Sequence, residues 1–584
     1  MYATEKKVLA AAGLVAATAA AAAEWPLLTL RHTSALNEHV ETVRQLVEAQ
    51  KRHPGCCDEI WFAAGGRLTP ENVRKNAEAF ARFRPLCDEA GIAVGYQQGV
   101  TLGHDSNFGK PPRDFQFATD VWQRDRNGNK MGMLCPRAPE TLQYEYEYAK
   151  TIMETAKPVS YWLDDDMRLG FCKPAGCFCD RCVKAFNEEF KHSFTRAELA
   201  GRIFGGPQRD PVRAEWCRFN AESLAIYGAA AARAADDVLP ACRVAYQAVR
   251  GDYLYNGPDF RPLLEALKGK KRASTGIRPG DLVYTEDSPR EFVGKALRVM
   301  REAERCKTYG DLVGTVCYEQ ETYPRKVFHK SPDAIVTECM LALASGCDTL
   351  SLYWYSATNP EPVEDFERFC KAIAAARPTF TRMSENARKT HLAGVARFVG
   401  SAAAERIESS ILDDDDLSLA LTGIPVTAME AGLGLWYVNL HSLHEMGAGD
   451  VERLERGRVL FAGPAWAAFK KDHPDAAPKD GGKWATVPTP SRFPLCSERK
   501  AWLDAIDEVT DGKFPVRVDL NHPLRILPRV DAEGRLVQLT LMNCSIGDAA
   551  DFTVRLRDKN GERERPVSRV AGWHPLTLFA GDGL

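Results

Sequence analysis

Beyond its first thirty positions the sequence has no run of eighteen strongly apolar residues, which excludes a polytopic membrane protein. Neither sign of charge dominates, because 76 Lys and Arg stand against 79 Asp and Glu for a net charge of −3. Without a basic field, neither nucleic acid nor an anionic membrane surface is held as the main partner. A disulfide framework is missing too, since the 17 cysteines are odd in number and irregularly spaced. Cys242, Cys317, Cys339 and Cys347 lie in apolar runs, as buried small hydrophobes do. There is no internal repeat. What remains is a 584-residue chain, 45% apolar and 27% charged, with the composition of ordinary globular domains. At roughly 150 residues per domain, that length accommodates three or four of them.

The first 23 residues stand apart. Lys6 and Lys7 precede an Ala-rich apolar stretch from Val8 to Ala23 that ends in small residues before Glu24. A positive start, a short apolar core and a small-residue end are the layout of a secretory signal peptide. The mature chain is then expected to be secreted or periplasmic, with no membrane span once the signal is removed. If the stretch is not a signal, the chain is cytoplasmic.

From Trp25 to about Ala375 short apolar runs alternate with longer amphipathic stretches. WPLLTLRH precedes a helix from about Asn37 to Lys51, and CDEIWFAA precedes one opening at Thr69-Pro70, where Thr caps the first turn and Pro fits the first helical position. GIAVGYQQGV, VSYWLDDD, RVAYQAV, LVYTED, VGTVCYE and TLSLYWY complete a set of eight. Eight strand-like runs, most followed by a helical one, predict a (β/α)8 TIM barrel over residues 24–385. Barrel enzymes build their sites at the C-terminal strand ends, and polar groups gather there: Arg31-His32, Gln97-Gln98, Asp164-Asp165-Asp166, Gln247, Glu286-Asp287, Glu319 and Tyr355.

After Arg377 the pattern changes. Residues 386–495 mix the β-like runs GVARFVG, LGLWYVNL and RVLFAG with helical stretches such as Ala465–Lys471, which predicts a small α/β, flavodoxin-like domain. The segment Pro474–Pro494, rich in Pro, Lys and Gly, reads as an exposed loop. Over residues 513–584 alternating runs separated by the turns DAEG and DKNG predict an antiparallel β-sandwich. The Asp413–Asp416 block reads as a solvated loop.

The most specific local signal is GCFCDRC, in which Cys177, Cys179 and Cys182 have C-x-C-x2-C spacing. Thiolates this close converge on one tetrahedral ion, and Zn2+ favours a closed set of four. Cys172 is the local candidate for the fourth ligand, and Cys135 in MLCPRAPE is the distant one. An iron–sulfur cluster has less support, because no redox motif accompanies it. A barrel carrying this motif just after an acidic strand-four end, with a lone Cys before Pro after strand three, resembles glycoside hydrolase family 42. The resemblance implies a structural zinc on Cys135, Cys177, Cys179 and Cys182. It also implies an α/β trimerisation domain after the barrel and a homotrimer.

Glycoside hydrolysis uses two carboxyl groups, one donating a proton to the leaving oxygen and one attacking or activating water. In the family resembled, the acid ends strand four within Asp-Asn-Glu and the nucleophile ends strand seven. Here Asp166 takes the acid's position and Asp165 that of the Asn, so the acid is one methylene shorter. On strand seven, Glu319 directly follows the apolar run and is the expected nucleophile; Glu321 shares its face. Neither carboxyl is expected to be needed for the core. Expected sugar contacts come from Arg31, His32, Gln97, Gln98, His104, Asp164, Asp165, Gln247, Glu286, Asp287, Glu321, Trp354 and Tyr355, with Arg31 and His32 supplying positive charge. The expected function is removal of a terminal, galactoside-like sugar from glycans or oligosaccharides. A non-catalytic carbohydrate-binding protein on the same barrel is the alternative.

Overall fold

The computed structural model describes residues 25–32, 40–64, 68–103, 117–169, 176–205, 211–248, 260–279, 285–287, 309–355, 361–398, 426–428, 448–488 and 495–582, with positions 299, 303, 306, 307 and 584. The expected signal segment, residues 1–23, lies outside them. Among the described residues no helix is long and apolar enough to cross a membrane.

Eight parallel strands close into a barrel in chain order: β1 (Leu28–His32), β2 (Glu59–Ala64), β3 (Ala93–Gln98), β4 (Ser160–Leu163), β5 (Arg243–Gln247), β6 (Thr275–Arg278), β7 (Val313–Glu321) and β8 (Thr349–Tyr353). Around it run α1 (Val40–Arg52), α2 (Pro70–Glu89), α3 (Pro139–Thr155), α4 (Asp180–Phe190), α5 (Pro211–Val238), α6 (Arg261–Lys268), α7 (Pro332–Ser345) and α8 (Val363–Lys389). α2 starts where the sequence places it: the Thr69 hydroxyl accepts from the Asn72 amide at 3.2 Å, and Pro70 is the first helical residue.

The two-residue period of each strand sends alternate side chains inward and outward. Outward residues make the wide apolar layer under the helices, for instance Phe62 stacked 5.4 Å from Phe80 of α2. Full burial of such a side chain contributes roughly 1.5–3 kcal/mol. Inward residues fill the barrel in layers. Lowest, Glu59 accepts from the Trp61 indole at 2.8 Å and from the Ser160 hydroxyl, and pairs with Arg243 at 2.7 Å. Above it Trp61, Trp162, Ala245 and Cys317 pack together, Trp61 and Trp162 at 4.5 Å between ring centroids. Trp25 packs beside them because Gly276 and Gly314 present no Cβ, which would otherwise lie within 2.8 Å of its ring. Among the described residues the lower barrel is packed, and the polar side chains gather at its upper end.

The structure corrects the sixth strand. It is Thr275–Arg278, not LVYTED. Four residues containing Gly and Arg show no apolar run, and the Gly is there to admit Trp25. Of LVYTED, residues 282–284 lie outside the described set, and Glu286–Asp287 form a bend.

Beyond the barrel, β9 (His391–Leu392) joins the C-terminal sheet, and β10 (Val395–Phe398), β11 (Val426–Ala428), β12 (Arg458–Ala462) and β13 (Lys483–Val487) form a parallel sheet in the order β11-β10-β12-β13. β13 falls inside the stretch expected to be a loop, because pairing with β12 outweighs its Pro- and Gly-rich flanks. LGLWYVNL and the Asp413–Asp416 block lie outside the described residues. α9 (Ala448–Arg456), α10 (Gly463–Asp472) and α11 (Cys496–Val509) accompany this sheet and the next. β14 (Val516–Val518), β15 (Leu524–Val530), β16 (Leu536–Asn543), β17 (Ala549–Asp558), β18 (Gly561–Val570) and β19 (Pro575–Phe579) form two antiparallel sheets, β9-β15-β16-β19 and β14-β17-β18, over a shared core of Ile526, Leu539, Leu541, Val554 and Leu556. DAEG and DKNG are the two hairpin turns, with Gly534 and Gly561 at positive φ.

Replacing Glu59 with Ala strips a carboxylate from Trp61, Ser160 and Arg243 at once. Breaking a buried pair in this way costs about 3–5 kcal/mol, and a fall in thermal unfolding temperature measures it.

Candidate active site

Each inward row continues upward into the barrel mouth. Thr29 is followed by Arg31, Gly95 by Gln97, Trp162 by Asp164, Ala245 by Gln247, Gly276 by Arg278, and Cys317 by Glu319 and Glu321. These side chains meet in a closed ring. Glu319, 2% exposed, is ion-paired on one oxygen with Arg31 and on the other with Arg278. The Arg31 Nε donates to Gln97 at 3.0 Å, and the Gln97 amide donates to Asp164 at 2.9 Å. Arg278 closes the circuit, its Nη2 lying 3.9 Å from Asp164 and 4.0 Å from Asp165. Gln247 accepts from the Nε and Nη2 of Arg278 at 3.0 and 2.6 Å. Six of the eight strands thus contribute to one polar layer, and β8 adds Tyr353, whose ring lies 4.7 Å from the Arg31 guanidinium.

Charge in this layer is unevenly distributed. Two guanidiniums flank Glu319, whereas Asp164 has acidic neighbours. Burial first, then Asp165 and Asp166, push the Asp164 carboxyl up to about 7, against the pull of Arg31 and Arg278. One carboxyl thus keeps its proton near neutrality while the other sits between two cations. Glu321, one step further up β7, pairs with Arg325, which lies 3.9 Å over the other part of the mouth, the Tyr353 ring. The Lys330 ammonium donates to the Glu321 carbonyl at 2.8 Å.

Of the residues expected at the site, Arg31, Gln97, Asp164, Asp165, Gln247, Glu319 and Glu321 come together here. The others do not. Asp166 is fully buried below the turn after β4, where its Oδ1 accepts from the Thr101 amide at 2.9 Å and from the Thr101 hydroxyl. Alternation explains this: 160, 162 and 164 point inward, and the chain turns before 166. Gln98 points outward and donates to Glu145 of α3 at 2.8 Å. His32 also points outward, with Phe62 6.3 Å away. Burial lowers its imidazole to about 4, so it is neutral and supplies no positive charge. Trp354 and Tyr355 pack on Phe369 and Phe366 of α8. Glu286 and Asp287 are exposed; Glu286 accepts from the Ser331 amide at 3.0 Å at the start of α7. His104 lies outside the described residues.

Arg278 and Tyr353 were not anticipated. Arg278 ends the strand whose position was misjudged, and Tyr353 precedes the two aromatics chosen on β8. Correct alternation from Ser351 would have found Tyr353.

A second cluster stands beside the barrel. Cys135, Cys177, Cys179 and Cys182 are buried, their sulfurs all within 4.8 Å of one another, and Cys135 lies 3.7 Å from Cys179 and 3.5 Å from Cys182. None is in a disulfide. A tetrahedral ion with metal–sulfur bonds of about 2.3 Å separates its sulfurs by roughly 3.8 Å, so the four thiols have the spacing of a metal site. Cys172 lies outside the described residues.

No family model matches the chain, and no curated protein does. Solved structures match over nearly the full length. A beta-galactosidase from Rahnella sp. R3 aligns at TM-score 0.61 and 13% identity, covering 94% of this chain and 98% of its own. A catalytic mutant of a GH42 beta-galactosidase from G. stearothermophilus aligns at TM-score 0.60 and 10% identity, with 94% and 98% covered. Alpha-L-fucosidase isoenzyme 2 from Paenibacillus thiaminolyticus aligns at TM-score 0.58 and 11% identity, with 95% and 99% covered. The chain shares the fold of these proteins over nearly its full length.

Two stability measurements follow from the ring. Glu319→Ala leaves two buried guanidiniums facing each other and is expected to cost about 3–5 kcal/mol, contrary to a carboxyl with no part in the core. Asp164→Asn behaves oppositely. Its raised carboxyl destabilises the wild-type fold progressively as pH rises from 3.8 to about 7. The variant should therefore unfold at an equal or higher temperature than wild type at pH 8.

Proposed function

We propose that the chain is a glycoside hydrolase that removes a terminal, galactoside-like sugar from glycans or oligosaccharides with a pair of carboxyl groups. The observation that carries this reading is the pair itself: Glu319 and Asp164 share one guanidinium at the C-terminal end of the barrel, in opposite electrostatic settings. Two carboxyls pushed apart in acidity are what glycosidic cleavage needs. Asp164, protonated up to about pH 7, donates its proton to the leaving glycosidic oxygen. Glu319 attacks the anomeric carbon, or takes a proton from the water that does. Asp164 takes over the donor's part expected of Asp166, which is enclosed with Thr101. Gln97, Asp165 and Gln247 carry amide and carboxylate groups suited to sugar hydroxyls. The structural likeness to beta-galactosidases and a fucosidase over nearly the whole chain supports the same class of reaction.

One observation favours the alternative, a carbohydrate-binding protein without turnover: both oxygens of Glu319 are held by arginines. A panel of aryl glycosides and oligosaccharides separates the two. A hydrolase should release sugar, and Asp164→Asn and Glu319→Gln should each lower turnover by about 10²–10⁴-fold. Near-normal activity in both variants sinks the assignment. Affinity without hydrolysis establishes the alternative.

The four thiolates are proposed to hold one structural zinc, tying the segment after β3 to the start of α4, where Cys179 is the N-cap. A closed four-sulfur set leaves no open position for substrate or water, so the ion's part is structural. Cys179→Ser should lower zinc content and unfolding temperature together; metal analysis of wild type without zinc or iron would remove the idea. Assembly as a homotrimer through residues 386–495 is proposed on the family resemblance, and light scattering that reports only monomer at micromolar concentration counts against it.

A further inference from the structure

We propose that Arg278 is a positioning residue that fixes the arrangement of the two reacting carboxyls. The inference rests on the assignment of Glu319 and Asp164 above. Arg278 lies at the end of β6, is 1% exposed, and reaches both groups with the same planar fork: Nη1 meets Glu319 and Nη2 faces Asp164 and Asp165. Its plane is set from one side by Gln247, which accepts from two of its nitrogens. A guanidinium is rigid and presents its donors in one plane, so with Nη1 held on Glu319 its Nη2 is fixed in place, 3.9 Å from Asp164 and within reach of it as a charge. An ammonium on a flexible stem has no such geometry. Glu319 is held from the opposite side by Arg31, whose own nitrogen is fixed by Gln97. The carboxylate therefore cannot follow a displaced Arg278, and the spacing is set from both ends.

The same cation acts on acidity. Arg278 pulls the Asp164 carboxyl down while burial, Asp165 and Asp166 push it up. Other charged or titratable groups facing this site among the described residues are Arg31 from β1, Cys317 and Glu321 from β7, Tyr353 from β8, and Arg325, which pairs with Glu321. Tyr246 of β5 senses both Asp165 and Arg278. Burial raises Cys317 to about 11 and Tyr353 to about 12, so both are neutral through the working range. Among the described residues, removing the Arg278 charge thus leaves Arg31 as the cation paired with Glu319.

The test compares wild type with Arg278→Gln and Arg278→Lys. Arg278→Gln should lower kcat by more than tenfold with less than a threefold change in KM, and should move both limbs of the kcat/KM against pH profile upward by about one unit or more. Arg278→Lys, which keeps charge but not the fork, should keep the limbs near their wild-type pH and still lose at least tenfold in kcat. Wild-type kcat and pH limbs in a folded Arg278→Gln would overturn the proposal, and so would wild-type kcat in Arg278→Lys if the Gln variant does not fold. Isotope-edited infrared titration of the Asp164 carboxyl, identified by its loss in Asp164→Asn, reads the acidity without substrate. If wild type hydrolyses no glycoside, the proposed function fails on its own. An unchanged Asp164 midpoint in Arg278→Gln then overturns the effect on acidity, whereas a raised one supports it.

Discussion

The structure turns on one carboxylate held between two buried guanidiniums. Moving a charge out of water costs several kcal/mol per ion even after relaxation, and only close, well-oriented partners offset it. Arg31 and Arg278, at 6% and 1% exposure, therefore depend on Glu319, and Glu319 on them. Because the three residues sit on β1, β6 and β7, their pairing is also a constraint on strand register. A shift of one residue in any of these strands would turn its charge outward into the apolar layer beneath the helices. Gln97, Asp164 and Gln247 extend the constraint to β3, β4 and β5, so the candidate site and the closure of the barrel share the same contacts.

Below the ring the barrel is filled, and behind it a second polar network is sealed in. Tryptophans and the Glu59 cluster occupy the lower layers, which leaves the upper end for a ligand. Outside the β3–β4 wall, Tyr161 donates to Gln98 at 2.6 Å, Gln98 donates to Glu145, and Tyr227 of α5 donates to the same carboxylate. Burial raises Glu145 to about 7. Asp166 contributes negative charge to this hidden network as well as to Asp164. Three consecutive aspartates thus divide their work: Asp164 faces the mouth, Asp165 borders it, and Asp166 ties the turn after β4 to Thr101.

The C-terminal sandwich is joined to the barrel by specific contacts. Arg529 on β15 is fully buried and donates to the carbonyls of Ala344 at the end of α7 and of Thr390 after α8. α8 runs on to Lys389, and β9 then enters the C-terminal sheet before the chain turns into the parallel one. The barrel's last helix is thereby a shared element of both units.

Much of this was legible in the chain itself. Alternating apolar runs and helical stretches identified seven of the eight strands, because burial on both faces demands such runs. The C-x-C-x2-C spacing identified three of four clustered thiols that could hold a metal ion, and hairpin turns marked the sandwich. Other features depended on tertiary structure. β6 was missed because its Gly makes room for Trp25, a residue some 250 positions away in sequence, and β13 because only its pairing with β12 makes it a strand. Side-chain direction near strand ends was the other gap. His32, Gln98, Trp354 and Tyr355 neighbour mouth residues in sequence yet face the helices, and Asp166 lies beyond the turn that ends the alternation. The sequence by itself determined the repeating units, the cysteine motif and the supply of carboxyls at strand ends. Only the closed barrel decided which carboxyl meets which guanidinium, because that depends on how six strands, each with a period of two, come into register around a common axis.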